Sequence, residues 1–72
     1  MLRIESIRFE HNRILVKLND GRTELRHLLN WPVLFGLTKE NRNNYQIVQD
    51  RIFWPLIKFE ISLTQILNAR KK

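Results

Sequence analysis

Apolar and polar side chains alternate through the first third of the chain. Ile14, Val16 and Leu18 are interleaved with Leu15 and Lys17, a period of two that predicts a β-strand with one buried face. Asn19-Asp20-Gly21-Arg22 breaks the run and Thr23-Glu24-Leu25-Arg26 resumes it. Asp-Gly between two such runs signals a hairpin, because glycine accepts the positive φ that a tight reversal needs. Upstream, Leu2 and Ile4 fall out of phase with Ile7 and Phe9. A bulge or bend near Glu5-Ser6 is therefore needed to keep burial on one side. His11-Asn12 marks another turn. These patterns predict a three-stranded antiparallel meander over residues 2–27, with Ile7, Phe9, Val16, Leu18 and Leu25 facing a core. Arg8, Lys17, Glu24 and Arg26 then face outward.

The middle of the chain is punctuated rather than periodic. Trp31-Pro32-Val33-Leu34-Phe35 predicts a short helical turn that Gly36 ends. Thr38 is placed to cap a helix over 39–44. Tyr45-Gln46-Ile47-Val48 and Arg51-Ile52-Phe53-Trp54 read as two strands around Gln49-Asp50, and Pro55, with no N–H to donate, ends that ladder. Ser62-Leu63-Thr64-Gln65 has the pattern of a capping box. It opens a helix over about 62–70 that presents Leu63, Ile66 and Leu67 on one face. Arg70, Lys71 and Lys72 would complement the negative end of that helix.

The sum is an α+β fold, read as one small domain over residues 1–72. It has a mainly antiparallel sheet (the meander plus one or two later strands), a short middle helix and a C-terminal helix. Ile47 and Trp54 join the expected core. The indole of Trp54 is expected to fill the gap between sheet and last helix, with Pro55 turning the chain toward that helix.

Size and charge narrow the function. A chain of 72 residues buries only about 60–65% of its unfolded surface, so little core is available. With no cysteine, neither a disulfide framework nor a thiolate metal site is expected. No apolar run approaches the roughly 20 residues that span a bilayer. The opening MLRIESIRFE carries charge too early for a secretory signal, so a soluble, cytoplasmic protein is expected. A net charge of +6 attracts acidic partners, nucleic acid or protein, without choosing between them. His11 and His27 lack metal-ligand spacing, and neither a phosphate-cradling glycine loop nor a nucleophile–base grouping is present. The chain reads as a non-enzyme with no cofactor.

A family resemblance rests on several stretches taken in order. They are Asp20-Gly21; Leu28-Leu29 with Trp31-Pro32-Val33-Leu34; Leu37-Thr38-Lys39-Glu40-Asn41-Arg42-Asn43-Asn44-Tyr45; and Ile52-Phe53-Trp54-Pro55 followed by Glu60-Ile61-Ser62 and Ile66-Leu67. In order and spacing they resemble the bacterial domain-of-unknown-function family 2442, whose members tend to read DG, L-x-x-[YFW]-P-x-L, A-T-P-E-Q-R-x-x-W and I-x-W-P-x-L-D-E-D-I-S. The resemblance implies a small α+β domain, often encoded beside another small protein in a layout like that of toxin–antitoxin pairs. Two departures stand out. Leu56, Ile57, Lys58 and Phe59 occupy places that are commonly acidic in the family, and Lys39 replaces a helix-starting proline.

Trp31, Leu34, Phe35 and Phe59 are the candidates for a protein contact. Trp31 has an equal alternative, packing against the open side of the sheet. Arg8, Lys17 and Arg26 are the candidates for a basic face that follows phosphates or meets an acidic partner. The plainer reading of that face is a solvated surface with cross-strand ion pairs worth tenths of a kcal/mol. Two helices of fair length in succession, as a helix-turn-helix requires, are not expected. The function expected is a non-enzymatic protein-binding module, antitoxin-like or regulatory, whose partner is a small protein encoded by a neighbouring gene. The alternatives are a basic nucleic-acid-binding accessory and a homodimer paired through an exposed strand edge.

Overall fold

The computed structural model describes residues 1–69. Strands β1 (Ile4–Glu10), β2 (Arg13–Leu18) and β3 (Thr23–His27) form an antiparallel sheet in the order β1-β2-β3. The phase break becomes a bulge: Ile4 lies opposite Leu18 but Ser6 lies opposite Lys17, so Glu5 is the extra residue. Ile4 and Ile7 thereby share the buried face. Gly21, at φ 93°, lets the second hairpin close. Asp20 holds that turn by accepting from the Arg22 backbone N–H at 3.0 Å and from its Nε at 2.7 Å.

After a 3₁₀ turn at Leu28–Asn30 come α1 (Pro32–Phe35) and α2 (Lys39–Arg42). Thr38 caps α2, its Oγ1 accepting from the Asn41 N–H at 3.1 Å. Strands β4 (Gln46–Val48), β5 (Arg51–Trp54) and β6 (Phe59–Ser62) form a second antiparallel sheet, and α3 (Leu63–Asn68) closes the chain. The capping box forms: Ser62 Oγ accepts from the Gln65 N–H, and the Gln65 side chain accepts from the Ser62 N–H.

Three expectations need correction here. Pro55 does not lead into the last helix; it starts a 3₁₀ turn, Pro55–Ile57, and Lys58 at φ 50° reverses the chain so that Phe59 pairs with Trp54. The alternation of Phe59 and Ile61 with Glu60 and Ser62 thus makes a third strand in this half. The middle helix stops at Arg42 rather than at residue 44, and the last helix ends at Asn68. The extension to residue 70 and the part assigned to Arg70, Lys71 and Lys72 lie outside the described residues.

One hydrophobic cluster joins both sheets, with Ile7, Val16, Leu18, Trp54, Leu63 and Ile66 among its buried members. Phe9 and Ile47 are half-buried against it. Leu25 and Leu67 are not part of it, being 37% and 39% exposed. For Leu25 the cause is register. Ile14 lies opposite Arg26 and Val16 opposite Glu24, so those two polar residues take the inward positions of β3 and Leu25 turns out. Leu67 follows Ile66 on the helix and falls off the buried stripe.

The seam between the sheets is tied where β1 meets the residues flanking β4. The Ile4 N–H donates to the Gln49 carbonyl at 2.9 Å, and the Tyr45 hydroxyl donates to the Ile7 carbonyl at 3.3 Å. Trp54 is buried, its indole N–H donating to the Arg42 carbonyl at 2.9 Å. Its ring tilts against Tyr45 and Phe59, with centroids 6.2 and 6.1 Å away. These contacts fasten the second sheet to α2.

Candidate functional site

Arg26, expected on a basic face, is 2% exposed. Its Nε donates to the Ile66 carbonyl at 2.8 Å, Nη1 to the Leu25 carbonyl at 2.9 Å and Nη2 to Glu24 Oε1 at 2.8 Å. The guanidinium is thus a strut between β3 and the end of α3, not a surface charge. Trp31 and Leu34 are also buried, so neither offers a contact surface. Phe59 is half-buried beside Trp54. Of the four apolar candidates Phe35 alone is exposed, at 40%, with its ring stacked on His27 at 6.4 Å between centroids.

What remains outward is the face of the first sheet opposite the core. Directly paired residues share a face, so the register sets out three rows across the strands. They are Ser6–Lys17–Thr23, Arg8–Leu15–Leu25 and Glu10–Arg13–His27. Leu15 and Leu25 are cross-strand neighbours, and His27 carries the apolar strip on to Phe35. Arg13 and Lys17 flank Leu15 along β2, and Arg8 lies beside Leu15 on β1. A shallow depression of about 310 Å³ opens among Ser6, Arg8, Leu15, Lys17 and Thr23. His27 Nδ1 accepts from the Leu29 N–H at 3.0 Å, which fixes the imidazole beneath Phe35.

The cations of this face are loosely engaged. Arg8 meets Glu10 at 3.5 Å and Lys17 meets Glu5 at 3.7 Å, with all four side chains more than half exposed. Such pairs contribute only tenths of a kcal/mol. Arg13 makes no ion pair among the described residues. Arg13 and Leu15 share the outward phase of Lys17 on β2, while an inward reading of Leu25 conceals the β3 members Leu25 and His27. The signal that finds them is the four-residue reversal Asn19–Arg22, which places Leu25 opposite Leu15 rather than Val16.

Elsewhere the chemistry is sparse. Among the described residues no group of three or more His, Cys, Asp or Glu side chains is placed to hold a metal ion, and no buried side-chain polar atom lacks a hydrogen-bond partner. Among the described residues, ion pairs engage Glu5, Glu10, Asp20, Glu24, Asp50 and Glu60. Among the described residues no helix is long and apolar enough to cross a membrane.

A family model described as "Protein of unknown function (DUF2442)" matches residues 4–72. The chain belongs to the DUF2442 family. No curated protein and no solved structure matches it. Many of the residues that carry the DUF2442 resemblance are scaffold in this structure, although Leu29, Val33 and Leu67 are exposed. Leu28, Trp31, Leu34, Ile52, Trp54 and Ile61 fill the core, while Thr38 and Ser62 cap helices. Arg42 ties off α1, its guanidinium donating to the carbonyls of Leu34, Phe35 and Leu37 at 3.2–3.3 Å. The same group lies 5.7 Å over the Phe9 ring, and the Arg42 carbonyl receives the Trp54 indole. These residues shape the fold, and none of those quoted for the resemblance lies on the outer face of the first sheet.

Proposed function

We propose that this DUF2442 chain is a non-enzymatic protein-binding module of the cytoplasm, the antitoxin-like or regulatory member of a bacterial two-gene pair. The observation that carries the reading is the apolar strip Leu15–Leu25–Phe35 on the sheet face opposite a core that is already closed. A small chain with few large side chains gains nothing in stability by leaving them in water, and exposed apolar strips rimmed by polar groups mark interaction surfaces. The settled state of the acidic and buried polar groups supports a non-enzymatic role. Co-expression with the product of the adjacent gene tests it. A complex that co-purifies, and relief by this chain of any growth defect the neighbour causes, are expected. Separate elution and no effect on growth would refute the pairing.

A second reading, a basic accessory that binds nucleic acid, is favoured by Arg8, Arg13 and Lys17 sharing that face. Three phosphate contacts predict an affinity for duplex DNA or RNA that falls about 40-fold between 50 and 200 mM salt. Absence of any gel retardation at low salt would remove it.

A further inference from the structure

We propose that the outer face of the first sheet is the seat for an acidic amphipathic α-helix of a partner protein. This rests on the protein-binding reading and names its site and the chemistry it recognises. The dimensions fit a helix. Adjacent strands lie about 4.8 Å apart, so three present a floor about 10 Å between outer axes, close to the width of one α-helix. The polarity across that floor sets which helix fits. Leu25 and the His27–Phe35 stack lie on the β3 side, Leu15 is on the central strand between Arg13 and Lys17, and Arg8 is on β1. A helix with an apolar stripe over Leu15, Leu25 and Phe35 presents its flank to the three cations, and a carboxylate flank matches them. Glu10 and Glu5 hold two of those cations only through exposed pairs, which an incoming carboxylate replaces at little cost. The depression beside Leu15 takes one apolar side chain of the helix.

This chain does not supply the occupant. Its longest described helix, α3, has six residues, and among the described residues Glu5, Glu10, Asp20, Glu24, Asp50 and Glu60 are in ion pairs of its own. Residues 70–72, Arg-Lys-Lys, carry the wrong sign. A second copy brings the same short helices.

The test is an NMR titration of the full isotope-labelled chain. The probe is a synthetic helical peptide of about 18 residues, with leucine along one face and glutamate on its flanks; a glutamine-for-glutamate version is the control. Amide shifts confined to β1–β3 and Phe35 are expected, with at least about tenfold weaker binding of the glutamine peptide. Leu25→Asp and the double variant Arg8→Glu/Arg13→Glu each weaken binding about tenfold or more, while Lys39→Glu/Lys58→Glu, off this face, does not. Thermal melts of the variants confirm folding; Leu25 is exposed, so L25D keeps the fold. No binding, shifts centred on β4–β6, or indifference to peptide charge would overturn the proposal. So would binding of a nucleic-acid duplex that Arg8→Glu/Arg13→Glu abolishes and Leu25→Asp leaves intact. A complex with the neighbouring gene's product that survives all these variants overturns the site but leaves the module reading standing.

Discussion

Arg26 occupies the place where strand alternation puts a solvent-facing cation, yet it is buried and fully engaged. The Ile66 carbonyl that it meets lies in the last turn of α3, where it also accepts from the Ala69 N–H at 3.2 Å, and a positive charge suits that negative end of the helix. Removing it leaves the Glu24 carboxylate, only 17% exposed, without its partner. Arg26→Met is therefore expected to cost about 3–5 kcal/mol in urea unfolding. Arg26→Lys should recover little, because an ammonium cannot reach three acceptors with the geometry of a planar fork. Asp20 makes a subtler case. The Arg22 backbone N–H, followed by its guanidinium, holds the Asp20 carboxyl below its ordinary value of 3.8. The unfolded chain therefore takes up this proton first, so the contribution is complete above pH 4 or so and is lost as pH falls through the lower folded value. Melting temperature should drop over that acid range, and Asp20→Asn should flatten the drop.

At the scale of elements, what was legible depended on how locally each feature is encoded. The capping box at Ser62, the Thr38 cap and the bulge at Glu5 are written within a few residues, and each forms. The facing of β3 is not local. Thr23-Glu24-Leu25-Arg26 has one apolar residue, and an inward reading of it is reasonable until pairing with β2 sets the register. The same inversion hid the β3 part of the candidate surface: Arg8, Arg13, Leu15 and Lys17 share the outward phase of the alternation, whereas Leu25 and His27 are placed only by the register. Strand β6 was missed because a proline followed by Leu-Ile-Lys looks like a strand's end, when Lys58 in the left-handed region makes it a reversal. Non-glycine residues occupy positive φ at three reversals, His11 and Gln49 at 56° and Lys58 at 50°. His11→Gly or Gln49→Gly should raise stability by about 0.5–1 kcal/mol, as strain relief exceeds the added chain entropy. Ser62→Ala should lower it by about 1 kcal/mol. Chemical denaturation checks both.

Across the whole molecule, two three-stranded sheets share one apolar cluster and are stitched by Ile4–Gln49, Tyr45–Ile7 and Trp54–Arg42 contacts. Neither sheet is sealed without the other, so unfolding should be a single transition when followed by far-ultraviolet circular dichroism and by indole fluorescence. Trp54→Phe should weaken the fold by leaving the Arg42 carbonyl unpaired, yet keep the two probes coincident. Separate midpoints would mean that the sheets fold independently.

The division of labour between a scaffold spelled by the family pattern and an outer sheet face left free for a partner is the claim on which the functional account stands. Hydrogen-exchange mapping of the chain, alone and in complex with the neighbouring gene's product, tests it most directly. The account predicts new protection at β1–β3 around Arg8, Leu15 and Leu25, with β5, β6 and the Trp54 surroundings unchanged. New protection centred on β5–β6, with the first sheet exchanging as it does in the free chain, would contradict it.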